Sequence, residues 1–134
     1  AALNIIPTTT GAATTIGKLM PELEGKLNGI AVRVPTPVVS LLDLIVQVKK
    51  ETTREEVNET FRKSTLQENY KGILAVEEGE LVSMDFKGNT HSAIIDLPET
   101  IVMGNLVKVV GWYDNEAGYS CRLADFTDFV AKKM

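Results

Sequence analysis

The stretch LLDLIVQVKKETTREEVNETFRKS, residues 41–64, contains a change of period that decides the fold class. Over Leu41–Lys49 the residues Leu42, Leu44, Val46 and Val48 recur at every second position, with Asp43 and Gln47 between them, the pattern of a strand with one buried face. Thr53-Arg54-Glu55-Glu56 then reads as a capping box: the Thr53 hydroxyl can accept from the amide of Glu56, and the Glu56 carboxylate can accept from the amide of Thr53. A helix is expected from Arg54 to about Ser64, with Val57 and Phe61 on one face and charged residues over most of the rest. A half-buried strand followed by a helix with a narrow apolar stripe predicts that the helix lies on the sheet, above the Leu42, Leu44, Val46 and Val48 face.

Downstream, strands are expected around Gly72–Val76, Leu81–Phe86 and His91–Ile95, the last two joined by Lys87-Gly88-Asn89-Thr90 as a tight hairpin. A final strand, Leu106–Trp112, leads through Tyr113-Asp114-Asn115-Glu116 into a carboxy-terminal helix that Asp114 can cap. Tyr119, Leu123, Phe126 and Val130 form its stripe, and Lys132 and Lys133 suit the negative end of its dipole. Upstream, Ile30–Val34 reads as a strand joined to the next by Pro35-Thr36-Pro37. Ala12–Met20 reads as a short helix stopped by Pro21 and entered through Thr8-Thr9-Thr10-Gly11, where N-cap hydroxyls sit. No repeat, linker or low-complexity segment interrupts this order. The expected class is α+β: a mostly antiparallel or mixed sheet with helices on one face and a C-terminal helix.

The chain has 134 residues, 44% apolar and 24% charged, enough for one compact domain spanning residues 1–134. Its net charge of -4 offers no general attraction to nucleic acid or anionic membrane, so any anion site must be local. No apolar run approaches the roughly 18 to 20 residues that cross a bilayer, and residues 1–10 carry no basic segment ahead of an apolar one. Cys121, the single cysteine, precludes an internal disulfide and fits a reducing compartment; a cytoplasmic location is expected. The first residues, Ala-Ala-Leu-Asn-Ile-Ile-Pro, form an apolar stretch without methionine and read as an internal portion of a longer chain.

Several residues could carry chemistry. Thr10-Gly11-Ala12-Ala13 opens a helix with a hydroxyl and then with residues too small to shield the backbone amides. Such a segment serves either as an ordinary cap or as an anion site at a helix amino terminus. Arg33, within Ile30-Ala31-Val32-Arg33-Val34, is either the polar face of a half-exposed strand or a guanidinium fixed for bidentate phosphate recognition. Asn115 can cap the last helix, the better reading locally, or offer a donor and an acceptor to a carboxamide-like ligand. Trp112, Tyr113 and Tyr119 are most economically core or subunit-interface aromatics.

Cys121 and His91 would suggest an activated thiol, but nothing in their spacing brings them together. The ten glycines include no G-x-G, hence no dinucleotide-binding fingerprint, and no cluster has metal-ligand spacing.

Taken together, Asn4-Ile5-Ile6-Pro7 through Thr10-Gly11-Ala12-Ala13, Pro21-Glu22-Leu23-Glu24-Gly25-Lys26-Leu27, Arg33-Val34-Pro35-Thr36-Pro37, and Trp112-Tyr113-Asp114-Asn115-Glu116 with Gly118-Tyr119-Ser120 resemble the glyceraldehyde-3-phosphate dehydrogenase family in order and spacing. The resemblance covers essentially the whole chain and corresponds to the C-terminal part of the catalytic domain. It implies a homotetrameric, phosphorylating enzyme of glycolysis. Glyceraldehyde 3-phosphate, inorganic phosphate and NAD become 1,3-bisphosphoglycerate and NADH through a cysteine thiolate, with NADP left open as the cofactor.

By the same resemblance, Thr10 and Gly11 hold the inorganic phosphate, and Arg33 is shared between that site and the site for the substrate's own phosphate. Asn115 bonds the nicotinamide carboxamide, and Tyr119 packs beside the nicotinamide. The family's nucleophilic cysteine, its partner histidine and the NAD-binding domain match nothing here, so this chain alone is expected to be inactive. Thr14 stands where many relatives have lysine, leaving one fewer positive charge at the phosphate loop. Two alternatives share these features: erythrose-4-phosphate dehydrogenase, and a non-catalytic phosphate-binding or interaction module.

Overall fold

A computed structural model describes residues 2–134; Ala1 lies outside the described residues. By backbone contacts the chain forms two compact units, Ala1–Pro37 and Val38–Met134.

In the first unit, strand β1 (Ile6–Thr9) runs antiparallel to β2 (Ile30–Arg33), with Ile6 opposite Arg33 and Thr9 opposite Ile30. β1 escapes sequence patterning because Pro7 and the threonine run read as a helix approach; proline is admitted here because the ribbon has only two strands and both are edges. Helix α1 (Ala12–Leu19) ends as expected before Pro21, whose ring excludes helical geometry at Met20 (φ -128°, ψ 83°). A short 3-10 turn, Pro21–Leu23, follows. Gly17 lets this turn approach closely, since a Cβ there would lie 3.3 Å from the Glu24 Cα. Both strands leave most of their side chains exposed, Ile30 at 70% and Val32 at 49%.

The second unit is a four-stranded mixed sheet. Strand β3 (Ser40–Gln47) is followed by helix α2 (Arg54–Thr65), then β4 (Leu74–Glu77), β5 (Ala93–Met103), β6 (Leu106–Tyr113) and helix α3 (Asn115–Ala131). The spatial order is β3-β6-β5-β4, antiparallel except for the parallel pair β4 and β5, which fits the expected α+β class.

The capping box of α2 forms in full: the Glu56 amide donates to the Thr53 hydroxyl and the Thr53 amide to the Glu56 carboxylate, each at 3.2 Å. The helix, however, packs on β4 and β5 and not over β3. Arg54 and Asn58 fix it there by donating to the Pro98 and Leu97 carbonyls at 2.7 and 3.1 Å. The expected β3 face is partly realised. Leu44, Val46 and Val48 are half-buried and Asp43 and Gln47 exposed, but Leu42 is exposed as well.

The expected strand at Leu81–Phe86 and its hairpin do not form. Residues Ser83–Phe86 make a 3-10 turn instead, because the Asp85 carboxylate accepts the Val82 amide at 2.8 Å and turns the chain locally. Phe86 thereby enters the core, stacked on Trp112 with ring centroids 5.3 Å apart and packed with Val39 and Ile94. The hairpin of this sheet is β5 to β6, through Gly104 in left-handed geometry.

Candidate functional site

Thr10 does not act as the N-cap of α1; Gly11 occupies that position, without a side-chain cap. The Thr10 hydroxyl accepts from the Ala12 amide at 3.2 Å, and the next amides, of Ala13 and Thr14, have no intrahelical acceptor at a helix start. A Cβ built on Gly11 would meet nothing within 4 Å, so the approach to these amides is open. Arg33 is exposed and, among the described residues, makes no ion pair. The ladder sets it opposite Ile6, three rungs from the Thr9–Ile30 rung and so about 10 Å along the ribbon. Arg33 and Thr10 therefore lie at opposite ends of one two-stranded ribbon, its strands connected through α1, without a bond between them. A cavity of this unit, lined by Ala2, Val34, Pro35, Thr36 and Pro37, includes neither of them, nor Gly11.

The second unit carries a shallow open cavity of about 280 Å³, lined by Ser92, Tyr113, Asp114, Asn115, Gly118, Tyr119 and Arg122. It forms where β6 hands over to α3. Asp114, not Asn115, caps the helix: its Oδ1 accepts from the amides of Glu116 and Ala117, both at 3.0 Å. The local preference for Asn115 as the cap is thus corrected, because Asp114, in extended backbone geometry (φ -84°, ψ 104°), holds the N-cap position and its carboxylate already takes the first free amides. Asn115 becomes the first helical residue, exposed, with no hydrogen bond to its side-chain amide among the described residues. Its donor and acceptor are open to the cavity. Tyr119, one turn on, is 68% exposed on the same cavity, so it is no core aromatic in this chain.

Asp114 is nearly buried, and its Oδ2 accepts the Gly88 amide at 2.8 Å. The amides of Ala117, Gly88 and Glu116, with a smaller contribution from nearby Lys87, hold the carboxyl below its ordinary range against the opposing cost of desolvation.

Gly118 permits the helix to touch the preceding loop, since a Cβ there would come within 2.9 Å of the His91 carbonyl. Arg122 donates from Nη1 to the Gly72 carbonyl, the Ser92 hydroxyl and the Thr90 carbonyl at 3.2, 3.2 and 3.4 Å, and from Nε to Asp125 at 2.8 Å. The sequence marks Asp114 as a cap alone and does not single out Arg122. Its spacing from Asn115, close to two helical turns, is the signal that places both on one face.

His91 is engaged at Nδ1 by the Asn89 side-chain oxygen at 2.9 Å, and no hydrogen bond joins it to the half-buried Cys121. Among the described residues no group of His, Cys, Asp and Glu is placed to hold a metal ion, and no helix is long and apolar enough to cross a membrane.

Comparison with known proteins gives this geometry its context. Residues 1–115 match the family model described as glyceraldehyde 3-phosphate dehydrogenase, C-terminal domain. The chain is 57% identical over 134 residues to glyceraldehyde-3-phosphate dehydrogenase A, chloroplastic, of Chlamydomonas reinhardtii, covering 99% of this chain and 36% of that protein. It is 52% identical to glyceraldehyde-3-phosphate dehydrogenase 1 of Bacillus subtilis, covering 99% of this chain and 40% of the relative. Against glyceraldehyde-3-phosphate dehydrogenase of Borreliella burgdorferi the identity is 51%, over 98% and 40%. The chain thus spans well under half the length of the relatives it matches.

The class these matches define is that of a dehydrogenase family's C-terminal domain. The chain belongs to the glyceraldehyde-3-phosphate dehydrogenase family.

Proposed function

We propose that in the full-length protein this segment, the C-terminal part of the catalytic domain, supplies phosphate and nicotinamide contacts for the phosphorylating oxidation of glyceraldehyde 3-phosphate. Family membership over residues 1–115 carries the reading. Two geometric features support it. The amides at the start of α1 lie open behind Gly11, as an anion bound at a helix amino terminus requires. The Asn115 amide is left free by the Asp114 cap, so the residues present fit a carboxamide ligand.

In this reading Thr10 and Gly11 hold the attacking phosphate, and the long Arg33 side chain, anchored about 10 Å along the ribbon from the Thr9 rung, spans the gap to serve that anion and the substrate's own phosphate by charge-assisted hydrogen bonds. Asn115 fixes the orientation of the nicotinamide ring, and Tyr119 covers one side of it and excludes water. A nicotinamide dinucleotide, NAD or NADP, takes up the hydride when bound. The nucleophile and its base come from the part of the protein outside this chain, and the isolated segment is inactive.

The uncovered apolar side chains of the sheet, among them Ile45 at 61% and Met103 at 71% exposure, support burial in a larger assembly, here proposed as a homotetramer in the cytoplasm. The test is steady-state oxidation of glyceraldehyde 3-phosphate by the full-length protein at varied phosphate. Thr10→Ala raises the phosphate concentration needed for half-maximal rate; loss of all phosphate dependence in the parent protein rejects the reading.

A further inference from the structure

We propose that Arg122 is a positioning residue for cofactor use: it clamps the first two turns of α3 to the loop before β5 and so sets the orientation of the Asn115 amide. The inference rests on the reading of Asn115 as a nicotinamide contact.

Arg122 follows Asn115 by seven residues, which on an α-helix returns to the same face within about 20°. Helical side chains lean toward the amino terminus, so the guanidinium covers the turn between the two residues. Both line the same cavity. The Arg122 side chain is 29% exposed, and its Nη1 binds acceptors in two separate loops, Gly72 before β4 and Thr90 and Ser92 before β5.

These bonds act with one further hydrogen bond and one close packing contact that attach α3 to the loop before β5. Asp114 accepts the Gly88 amide, and Gly118 lies against the His91 carbonyl. The three attachments fall at residues 114, 118 and 122, one per turn, and bracket Asn115 and Tyr119. The Asn115 side-chain amide has no hydrogen bond among the described residues, so its placement is inherited from this clamp. With most of its donor capacity spent on the protein, Arg122 suits orientation better than binding an anion.

The experiment is a double-mutant cycle in the full-length dehydrogenase, with kcat/KM for the nicotinamide cofactor and KM for the aldehyde measured separately. Arg122→Met is expected to lower cofactor kcat/KM about tenfold, as small misplacements of a positioning group do, with the aldehyde KM unchanged. In an Asn115→Ala background the same substitution has no further effect. Arg122→Lys restores part of the loss, and Ser92→Ala, which removes one acceptor and spares the fold, shows a smaller change of the same kind.

If Asn115→Ala lowers cofactor kcat/KM but Arg122→Met and Ser92→Ala do not, the proposal is wrong and the cofactor reading stands. It is also wrong if the two losses multiply in the double variant. If Asn115→Ala has no effect, the cofactor reading fails and takes the proposal with it.

Discussion

Asp114 and Gly88, 26 positions apart, are joined by a 2.8 Å hydrogen bond from the Gly88 amide to Oδ2, while Oδ1 of the same carboxylate caps α3. One side chain thus ends β6, starts the helix and ties it to the loop ahead of β5. This joint, rather than any feature of Asn115 itself, leaves the Asn115 amide free.

Asp114→Asn separates the two tasks. Asparagine caps helices as well as aspartate does, but with its oxygen on α3 its amide nitrogen faces the Gly88 N–H, and two donors meet. The variant is expected to be less stable than the parent at neutral pH. Because the carboxyl is held below its ordinary value, its contribution is full above the unfolded pKa of about 3.9 and is lost as pH falls through the lower folded value. Urea unfolding midpoints of the full-length protein between neutral pH and pH 3 check this. The gap between parent and variant should close toward the acid end, and a gap that widens there contradicts the assigned role.

Val39 carries a φ of 72°, in the left-handed region that β-branched residues avoid, while its side chain is buried against Phe86 and Ile94. The packing holds the strain. Val39→Ala and Val39→Gly both remove the buried methyl groups, but only glycine also removes the steric cost of the left-handed backbone, roughly 1–2 kcal/mol. The glycine variant should therefore be the more stable of the two by about 1 kcal/mol, the reverse of their ordinary order. Thermal or urea midpoints measured side by side decide it; alanine above glycine would mean that the backbone relaxes out of this geometry.

Where a local rule had a single solution, sequence and structure agree. The Thr53–Glu56 capping box can form only one helix start, and the alternation through β3 correctly exposes Asp43 and Gln47. Legibility ended where partners had to be chosen at long range. Val57 and Phe61 mark a buried helix face without saying which strands lie beneath it, and α2 settled on β4 and β5 because Leu97 and Pro98, at an irregular stretch of β5, expose carbonyls to Asn58 and Arg54.

The Leu81–Phe86 segment has strand composition, yet a single carboxylate bond from Asp85 outweighs it. At the candidate site, Asn115 reads as either cap or ligand contact, and the Asp114 geometry removes only the capping reading. The stripe Tyr119, Leu123, Phe126 and Val130 was correctly periodic, yet these residues are exposed at 68, 52, 63 and 40%, because periodicity marks a surface to be covered and not what covers it.

The most direct test of the proposed role is the phosphate and substrate dependence of Arg33→Ala in the full-length enzyme. A charge-assisted hydrogen bond is worth about 1.5 to 3 kcal/mol. With one guanidinium serving both anions, kcat/KM for glyceraldehyde 3-phosphate and for inorganic phosphate should fall together, by about tenfold to a hundredfold. An Arg33→Ala enzyme with the parent's dependence on both would contradict the account.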